Sequence, residues 1–188
     1  MNTLYPIFVK ADQLQFLIVG GGFVALEKLE FLFKSSPNAQ VTLVAPFIRE
    51  ETLAFIQNKS VKIIVKKYHR RFLRNQHIVV ATTDAHEVNL KVHSDCQKRN
   101  LLVNVADTPD LCDFYMGGIV TKGNLKIAIS TNGKSPTVAK RLRQWLEAVL
   151  PDEIDDLLET LRRYRKTLKG DFDYKVKAMN EVTKNLIK

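Results

Sequence analysis

Gly20, Gly22 and Ala25 stand in the run Phe16-Leu-Ile-Val-Gly-Gly-Gly-Phe-Val-Ala25 at the spacing of a turn that brings backbone N–H groups up to a pyrophosphate. Each position has its own task. The first glycine makes the tight turn off a strand, the second lets the backbone approach the phosphates, and a small third residue lets helix pack on strand. The helix that follows offers free N–H groups and the positive end of its dipole to an anion, so Gly20, Gly21, Gly22, Phe23 and Val24 are the candidate phosphate-binding residues. Thr82, Thr83 and Asp84 form a second chemical group, two hydroxyls and a carboxylate able to bond the sugar of a nucleotide. Asp107 is a third: it follows another apolar run, and a carboxylate there can accept or hold a proton. The loop Ser130-Thr-Asn-Gly-Lys-Ser-Pro136 adds hydroxyls, a flexible glycine and an ammonium group. Plainer readings stand beside these. Glycines serve ordinary turns, Thr83 and Asp84 suit the cap of a helix beginning near His86, and Asp107 suits an Asx turn ahead of Pro109.

The elements that must position these groups are legible as alternating patterns. Apolar runs at 15–20, 41–45, 61–65, 77–82 and 101–105 are expected strands, and 23–35, 48–58 and 86–99 are expected helices. Apolar strands alternating with helices imply a parallel sheet covered on both faces. The first helix should bury Ala25, Leu29, Leu32 and Phe33. After about residue 113 the rhythm changes. Strands at 117–122 and 125–130 meet through a hairpin turn at Lys122-Gly123-Asn124. Ser135 should then cap a helix with Pro136 at its first position and Val138, Leu142, Trp145, Leu146 and Val149 on one face. Pro151 ends it, Asp152 should cap the next helix (Ile154, Leu157, Leu158, Leu161 and Leu168), and a last helix carries Phe172, Val176, Met179 and Leu186. The fold class expected is α/β: a doubly wound parallel sheet at 1–113, a small β-ribbon region at 114–150 and a basic helical region at 151–188. A two-stranded ribbon is marginal alone, so pairing with the same element of a second subunit, a homodimer, is expected.

Length and composition agree. The 188 residues suit one domain with an appendage, and 45% hydrophobic with 26% charged content is globular. No apolar run approaches the roughly 18 residues of a membrane span, and no signal-peptide pattern opens the chain, so no membrane partner is expected. Cys96 and Cys112 form no paired motif, so a reducing, cytoplasmic setting is expected. The net charge is +9, and residues 162–188 hold nine Lys or Arg against three acids. Such an excess attracts polyanions or is simply a solvated face. Nucleic acid, an acidic membrane and a small substrate with many carboxylates are the polyanions the charge itself admits; set beside the motifs that follow, a polycarboxylate is the partner expected and nucleic acid is not.

Taken in order, Leu4-Tyr-Pro-Ile-Phe8, Val19-Gly-Gly-Gly-Phe-Val-Ala-Leu-Glu-Lys28, Val80-Ala-Thr-Thr-Asp84, Asn104-Val-Ala-Asp-Thr-Pro109, Phe114-Tyr-Met116 and Ser130-Thr-Asn-Gly-Lys-Ser-Pro136 resemble the precorrin-2 dehydrogenase / sirohaem synthase N-terminal family. The resemblance covers nearly the whole chain and thins after about residue 150. It implies a Rossmann-like fold and NAD-dependent oxidation of precorrin-2 to sirohydrochlorin, on the route to sirohaem. Some relatives also insert Fe²⁺. It implies Asp107 as the catalytic residue and NAD as the cofactor, with Thr82, Thr83 and Asp84 at the ribose or nicotinamide end. Read beside it, Asn104 at the same strand end suits a bond to substrate or cofactor, or the cap of a turn, and Ser130, Thr131, Asn132, Gly133, Lys134 and Ser135, with Lys140, Arg141 and Arg143, suit a clamp on the substrate's carboxylates or a simple exposed basic helix. Asp110 and Asp113 read as surface groups. No histidine pair has metal-ligand spacing, so no resident metal is expected; His77 reads as structural.

One departure stands out. The second strand ends Val44-Ala-Pro-Phe47 without the usual ribose-gripping acid; the first acid is Glu50, after Arg49, which leaves NADP open. A reading of another class also stays open: a non-catalytic nucleotide sensor that meets a partner through its basic tail. A sensor has no need of a substrate-side carboxylate such as Asp107.

Overall fold

A computed structural model describes residues 2–185, so Leu186, expected on the last apolar stripe, lies outside the described residues. The chain divides into two compact units. One runs to Met116 and includes Asn132–Lys134; the other comprises Gly117–Thr131 and the chain from Ser135 onward.

In the first unit, β1 (Gln15–Val19), β2 (Gln40–Ala45), β3 (Val61–Val65), β4 (Ile78–Ala81) and β5 (Leu102–Val105) form one parallel sheet in the order β3-β2-β1-β4-β5. The doubly wound expectation is borne out. Three helices cross between strands: α1 (Phe23–Ser35), α2 (Glu50–Ile56) and α3 (His86–Gln97). α2 is shorter than expected, because Pro46 to Arg49 is used in an extended connection before the helix starts.

The two-residue strand period sorts the core into two layers. Phe16, Ile18, Val41, Leu43, Ile78 and Val80 face α1 and α2, meeting Ala25, Leu29, Leu32 and Phe33, the four expected residues. Leu17, Val19, Val44, Val79, Val103 and Val105 face the other way, meeting Val92 and Cys96 of α3 and Leu73. Each fully buried Leu, Ile or Val contributes roughly 1.5–3 kcal/mol. The outer edge of β5 is covered by a mock strand. The Asp113 carboxylate accepts from Val103 N–H at 2.9 Å, and the Cys112 thiol bridges Val105 N–H and C=O at 3.3 and 3.2 Å. Asp113 is therefore a structural group and not an idle surface acid.

Beneath α3, burial pushes the Cys96 thiol from the usual 9.0 up to about 12, with Asp95 and Asp113 adding to it. Burial, and the Asp95 carboxylate that accepts from its hydroxyl at 3.2 Å, raise the Tyr68 phenol as well. Both groups are held neutral in the fold but ionise near 9.0 and 10.0 when unfolded. The Cys96 contribution is thus complete below pH 9.0 and is lost as pH rises through its folded value of about 12, and that of Tyr68 is complete below 10.0 and is lost at still higher pH. The urea midpoint is expected to fall as pH is raised above 9, and Cys96→Ala should flatten part of that slope. A midpoint that stays level across this range in the wild-type chain would contradict the assignment.

In the second unit, β6 (Gly118–Lys122) and β7 (Leu125–Ile129) form the expected antiparallel ribbon, followed by α4 (Pro136–Val149), α5 (Ile154–Thr167) and α6 (Phe172–Thr183). Ser135 Oγ accepts from Val138 N–H at 3.2 Å, so the expected cap is present. Asp152 does not cap α5. Its carboxylate accepts from Lys122 Nζ at 2.6 Å, a charge-assisted bond, and Glu153 takes the cap position without a side-chain bond. Asp155 instead closes the hairpin, accepting from Asn124 N–H and Nδ2 at 2.7 and 2.9 Å. The expected α4 stripe lies on one helix face. Ala139 is the buried residue of the helix, against the side-chain-free Gly118, whereas Val138, Leu142, Trp145 and Val149 are exposed. No helix among the described residues is long and apolar enough to cross a membrane.

Candidate functional site

Parallel strands end at one edge of a sheet, and here β1, β4 and β5 end in register: Val19 pairs with Ala81, and Ala81 with Val105. The residues just beyond, Gly20–Gly22, Thr82–Asp84 and Ala106–Asp107, therefore share the carboxyl edge at β1 and on its β4 side, where the winding direction reverses between β1 and β4.

The three glycines have three different reasons to be glycine. Gly20 is buried at φ +123°, and a Cβ there would lie 2.5 Å from Thr82 Oγ1. Gly21 is buried too; its Cβ would lie 2.4 Å from Phe47 O, and its own carbonyl accepts from Arg49 N–H at 3.0 Å. Its carbonyl locks the connection after β2 onto the turn. Gly22 is half-buried with nothing within 4 Å of a Cβ, and it stands at the N-cap of α1 without a side-chain cap bond. The first-turn N–H groups of Phe23 and Val24 are thus left to a ligand, and the open space lies over Gly22. That arrangement fits a dinucleotide pyrophosphate.

Thr82 is placed differently from the sequence expectation. It is buried, and its hydroxyl donates to Val19 C=O at 3.0 Å, beside its own N–H at 2.8 Å, so it welds β4 to the glycine turn instead of facing a ribose. Thr83 does not cap α3. Its hydroxyl donates to Asn89 Oδ1 at 2.7 Å, and Ala85 holds the cap position without a side-chain bond. Asp84 is exposed, and among the described residues nothing donates to its carboxylate.

Asn89 was missed by sequence reasoning. It is buried on α3, where its Oδ1 also accepts from Thr83 N–H at 3.3 Å and its Nδ2 donates to Thr83 C=O at 2.8 Å. One side chain thereby fixes three atoms of Thr83. The available signal was an amide on the inward stripe shared with Val92 and Cys96. Asn89→Ala leaves those groups unpaired and is expected to cost about 1–3 kcal/mol. Chemical denaturation reads that loss, and dinucleotide titration should show weaker binding as the 82–84 segment loosens. Unchanged values in both would contradict the clamp.

Asp107 is exposed at φ +58°, one of four non-glycine residues with positive φ among those described. Asp tolerates this conformation better than most residues, and such positions cluster at functional sites. No Asx turn forms: among the described residues nothing donates to its carboxylate, and Thr108 N–H bonds Val105 C=O instead, at 3.2 Å. The carboxylate is free to act on something outside the chain. Asn104 is not. It is buried, and its Nδ2 donates to Phe114 C=O at 2.8 Å and to Cys112 Sγ at 3.3 Å, so it holds the segment after β5 and is withdrawn from the substrate role expected of it.

In the 130–135 loop, Asn132 and Gly133 have φ of +54° and +73°, which makes a tight turn. The Thr131 hydroxyl accepts from Ser135 N–H and donates to Ser135 C=O, both at 3.1 Å, while Ser135 Oγ caps α4. These two hydroxyls hold the loop's shape. Lys134, Gly133, Lys140 and Arg141 are exposed, whereas Arg143 is paired with Glu147 at 2.6 Å and is spoken for. Ser130, Thr131 and Ser135 belong to the second unit and Asn132–Lys134 to the first. Among the described residues no cluster of three or more His, Cys, Asp or Glu is arranged for a metal ion. His77 is structural, its Nδ1 accepting from Gln15 N–H at 2.9 Å.

Comparison with known proteins agrees with this geometry. A family model described as "Putative NAD(P)-binding" matches residues 7–118, and one described as sirohaem biosynthesis protein central matches residues 122–148. The chain is 37% identical over 170 residues to the siroheme synthase of Psychrobacter arcticus, covering 90% of this chain and 30% of that protein. It is 35% identical over 193 residues to that of Psychrobacter sp., covering 95% and 39%. The chain thus spans about a third of the length of the curated relatives it matches. Among solved structures, SirC, a precorrin-2 dehydrogenase, superposes with a TM-score of 0.73 at 23% identity, covering 95% of this chain and 89% of that one, which shows a shared fold. The resemblance read from the ordered motifs is borne out, and by the match over residues 7–118 the chain belongs to this NAD(P)-binding family.

Proposed function

We propose that the chain oxidises precorrin-2 to sirohydrochlorin with NAD⁺, a step in sirohaem synthesis. The observation that carries this reading is Asp107: a free, exposed carboxylate in a left-handed conformation, on the same sheet edge as a glycine turn with open space over Gly22. The names of the siroheme synthase relatives and of the SirC structure support it.

Bound at the turn, NAD⁺ supplies a hydride acceptor. The chain's own residues do the rest. Gly22 admits the pyrophosphate, and the N–H groups of Phe23 and Val24 bond it. Thr82 and Asn89 hold the turn and the 83–84 segment in place, with Asp84 turned outward to hydroxyl donors. Oxidation removes two hydrogens from the macrocycle, one as hydride and one as a proton, and the Asp107 carboxylate accepts the proton or orients the pyrrole N–H groups. Lys134 offers an exposed ammonium group to the substrate's carboxylates, on a turn shaped by Asn132 and Gly133. The sensor reading accounts for none of the placement of Asp107.

Incubating the chain with NAD⁺ and precorrin-2 tests the proposal: NADH and a new visible chromophore should appear together, and absence of both ends it. Adding Fe²⁺ to sirohydrochlorin asks separately whether the chain also metallates that product. We also read the chain as a homodimer in a reducing, cytoplasmic setting. The exposed stripe Val138, Leu142, Trp145 and Val149, next to a ribbon of only two strands, supports the pairing. Light scattering at micromolar concentration should return twice the chain mass; a monomer mass would refute it.

A further inference from the structure

The connection after β2 is where a doubly wound dinucleotide fold chooses its cofactor. An acid there holds the adenosine 2′-hydroxyl, whereas an arginine accommodates a 2′-phosphate. This chain carries both kinds of group. Two backbone bonds tie the end of β2 and the connection after it to the glycine turn: Gly20 N–H donates to Val44 C=O at 2.9 Å and Arg49 N–H to Gly21 C=O at 3.0 Å. They set the Arg49 side chain beside the start of α1, where its guanidinium carbon lies 3.6 Å from the centre of the exposed Phe23 ring. One donor edge of the guanidinium is already taken. Its Nε and Nη2 donate to the two oxygens of Glu51 at 3.2 and 2.9 Å, a fork-to-fork pair. Stacking on Phe23 fixes the plane of the guanidinium, and Glu51 occupies its donor edge. Arg49 holds the Glu51 carboxyl below the usual carboxylate range, so its negative charge is present at neutral pH.

We propose that Glu51 sets the cofactor preference of this site, occupying the donor edge of Arg49 and repelling a 2′-phosphate, so that NAD⁺ is taken over NADP⁺. The inference rests on the reading of the glycine turn as a dinucleotide site. A 2′-phosphate must displace Glu51 from Arg49 or sit against its charge; the free ribose of NAD⁺ has to do neither. Phe23 thereby acquires a second task, as the platform that orients the guanidinium.

The test is isothermal titration calorimetry of the 188-residue chain with NAD⁺ and NADP⁺, for the wild type, Glu51→Gln and the double variant Arg49→Gln/Glu51→Gln. Removing one negative charge a few ångströms from a dianion should lower the ratio of NADP⁺ to NAD⁺ dissociation constants about tenfold in Glu51→Gln. The gain should shrink as salt is raised, and the double variant should lose it. A ratio left unchanged by Glu51→Gln, or a gain that survives loss of Arg49, overturns the inference while leaving NAD⁺ binding intact. Absence of NAD⁺ binding by the wild-type chain is a different outcome, which removes the dinucleotide reading and this inference with it.

Discussion

Replacing Asp107 by Asn is expected to slow precorrin-2 oxidation by about 10²–10⁴-fold, the range a positioned acid or base supplies. Asn is the informative change because it tolerates positive φ almost as well as Asp. The turn at φ +58° should survive, so the loss can be assigned to the missing carboxylate and not to backbone strain. Asp107→Ala mixes the two, since a residue without a short polar side chain costs about 1–2 kcal/mol in the left-handed region. The conformation has a local cause: Ala106 N–H bonds Ala81 C=O at 2.9 Å and Thr108 N–H bonds Val105 C=O, so the chain must reverse between them. Thermal unfolding and NAD⁺ titration should match the wild type while the rate collapses. A variant that oxidises at the full rate would remove Asp107 from the chemistry.

Gly20→Ala and Gly22→Ala should fail in opposite ways, although the two positions look alike in the sequence. At Gly20 an added Cβ meets Thr82 Oγ1 at 2.5 Å and the Thr82 carbonyl at 2.9 Å, with the backbone at φ +123°. Strain and overpacking together are expected to cost about 2–6 kcal/mol, lowering Tm by roughly 5–20 °C and abolishing dinucleotide binding. At Gly22 the backbone is ordinary, with φ −87°, and the Cβ meets nothing within 4 Å. The fold should keep its Tm, but the methyl takes the room needed by a pyrophosphate, and NAD⁺ affinity should fall about tenfold or more, the order of a lost charge-assisted hydrogen bond. Scanning calorimetry and NAD⁺ titration separate the two. Gly20→Ala with wild-type stability, or Gly22→Ala with wild-type affinity, would contradict the roles assigned here.

These contrasts show what a linear reading can and cannot carry. Periodicity over 15–105 gave all five parallel strands and the buried face of α1, because strand and helix periods are local properties of the chain. The Ser135 cap and the hairpin at Gly123 were legible for the same reason. Side-chain assignments failed where a partner came from far along the sequence. Thr82 has the type and place of a ribose contact, but the carbonyl of Val19, 63 residues away, takes its hydroxyl. Asn104 looked like a substrate group until Phe114 C=O claimed its amide. Asp152 reads as a cap, yet Lys122, 30 residues earlier, outcompetes the helix. Asn89 and the Arg49–Glu51 pair belong to no motif, and their roles exist only once the segment after β4 and the connection after β2 are folded against the turn. The α4 stripe was legible as an apolar face, but its spacing does not name what covers it, and within its own unit the helix buries Ala139.

Precorrin-2 oxidation is read most directly by mixing the wild-type chain with NAD⁺ and precorrin-2 and following NADH and the tetrapyrrole spectrum in the same cuvette. NADH and sirohydrochlorin should rise together in equal amounts, and about 10²–10⁴-fold more slowly with Asp107→Asn. NAD⁺ binding with no NADH and no change in the precorrin-2 spectrum would contradict the proposed reaction.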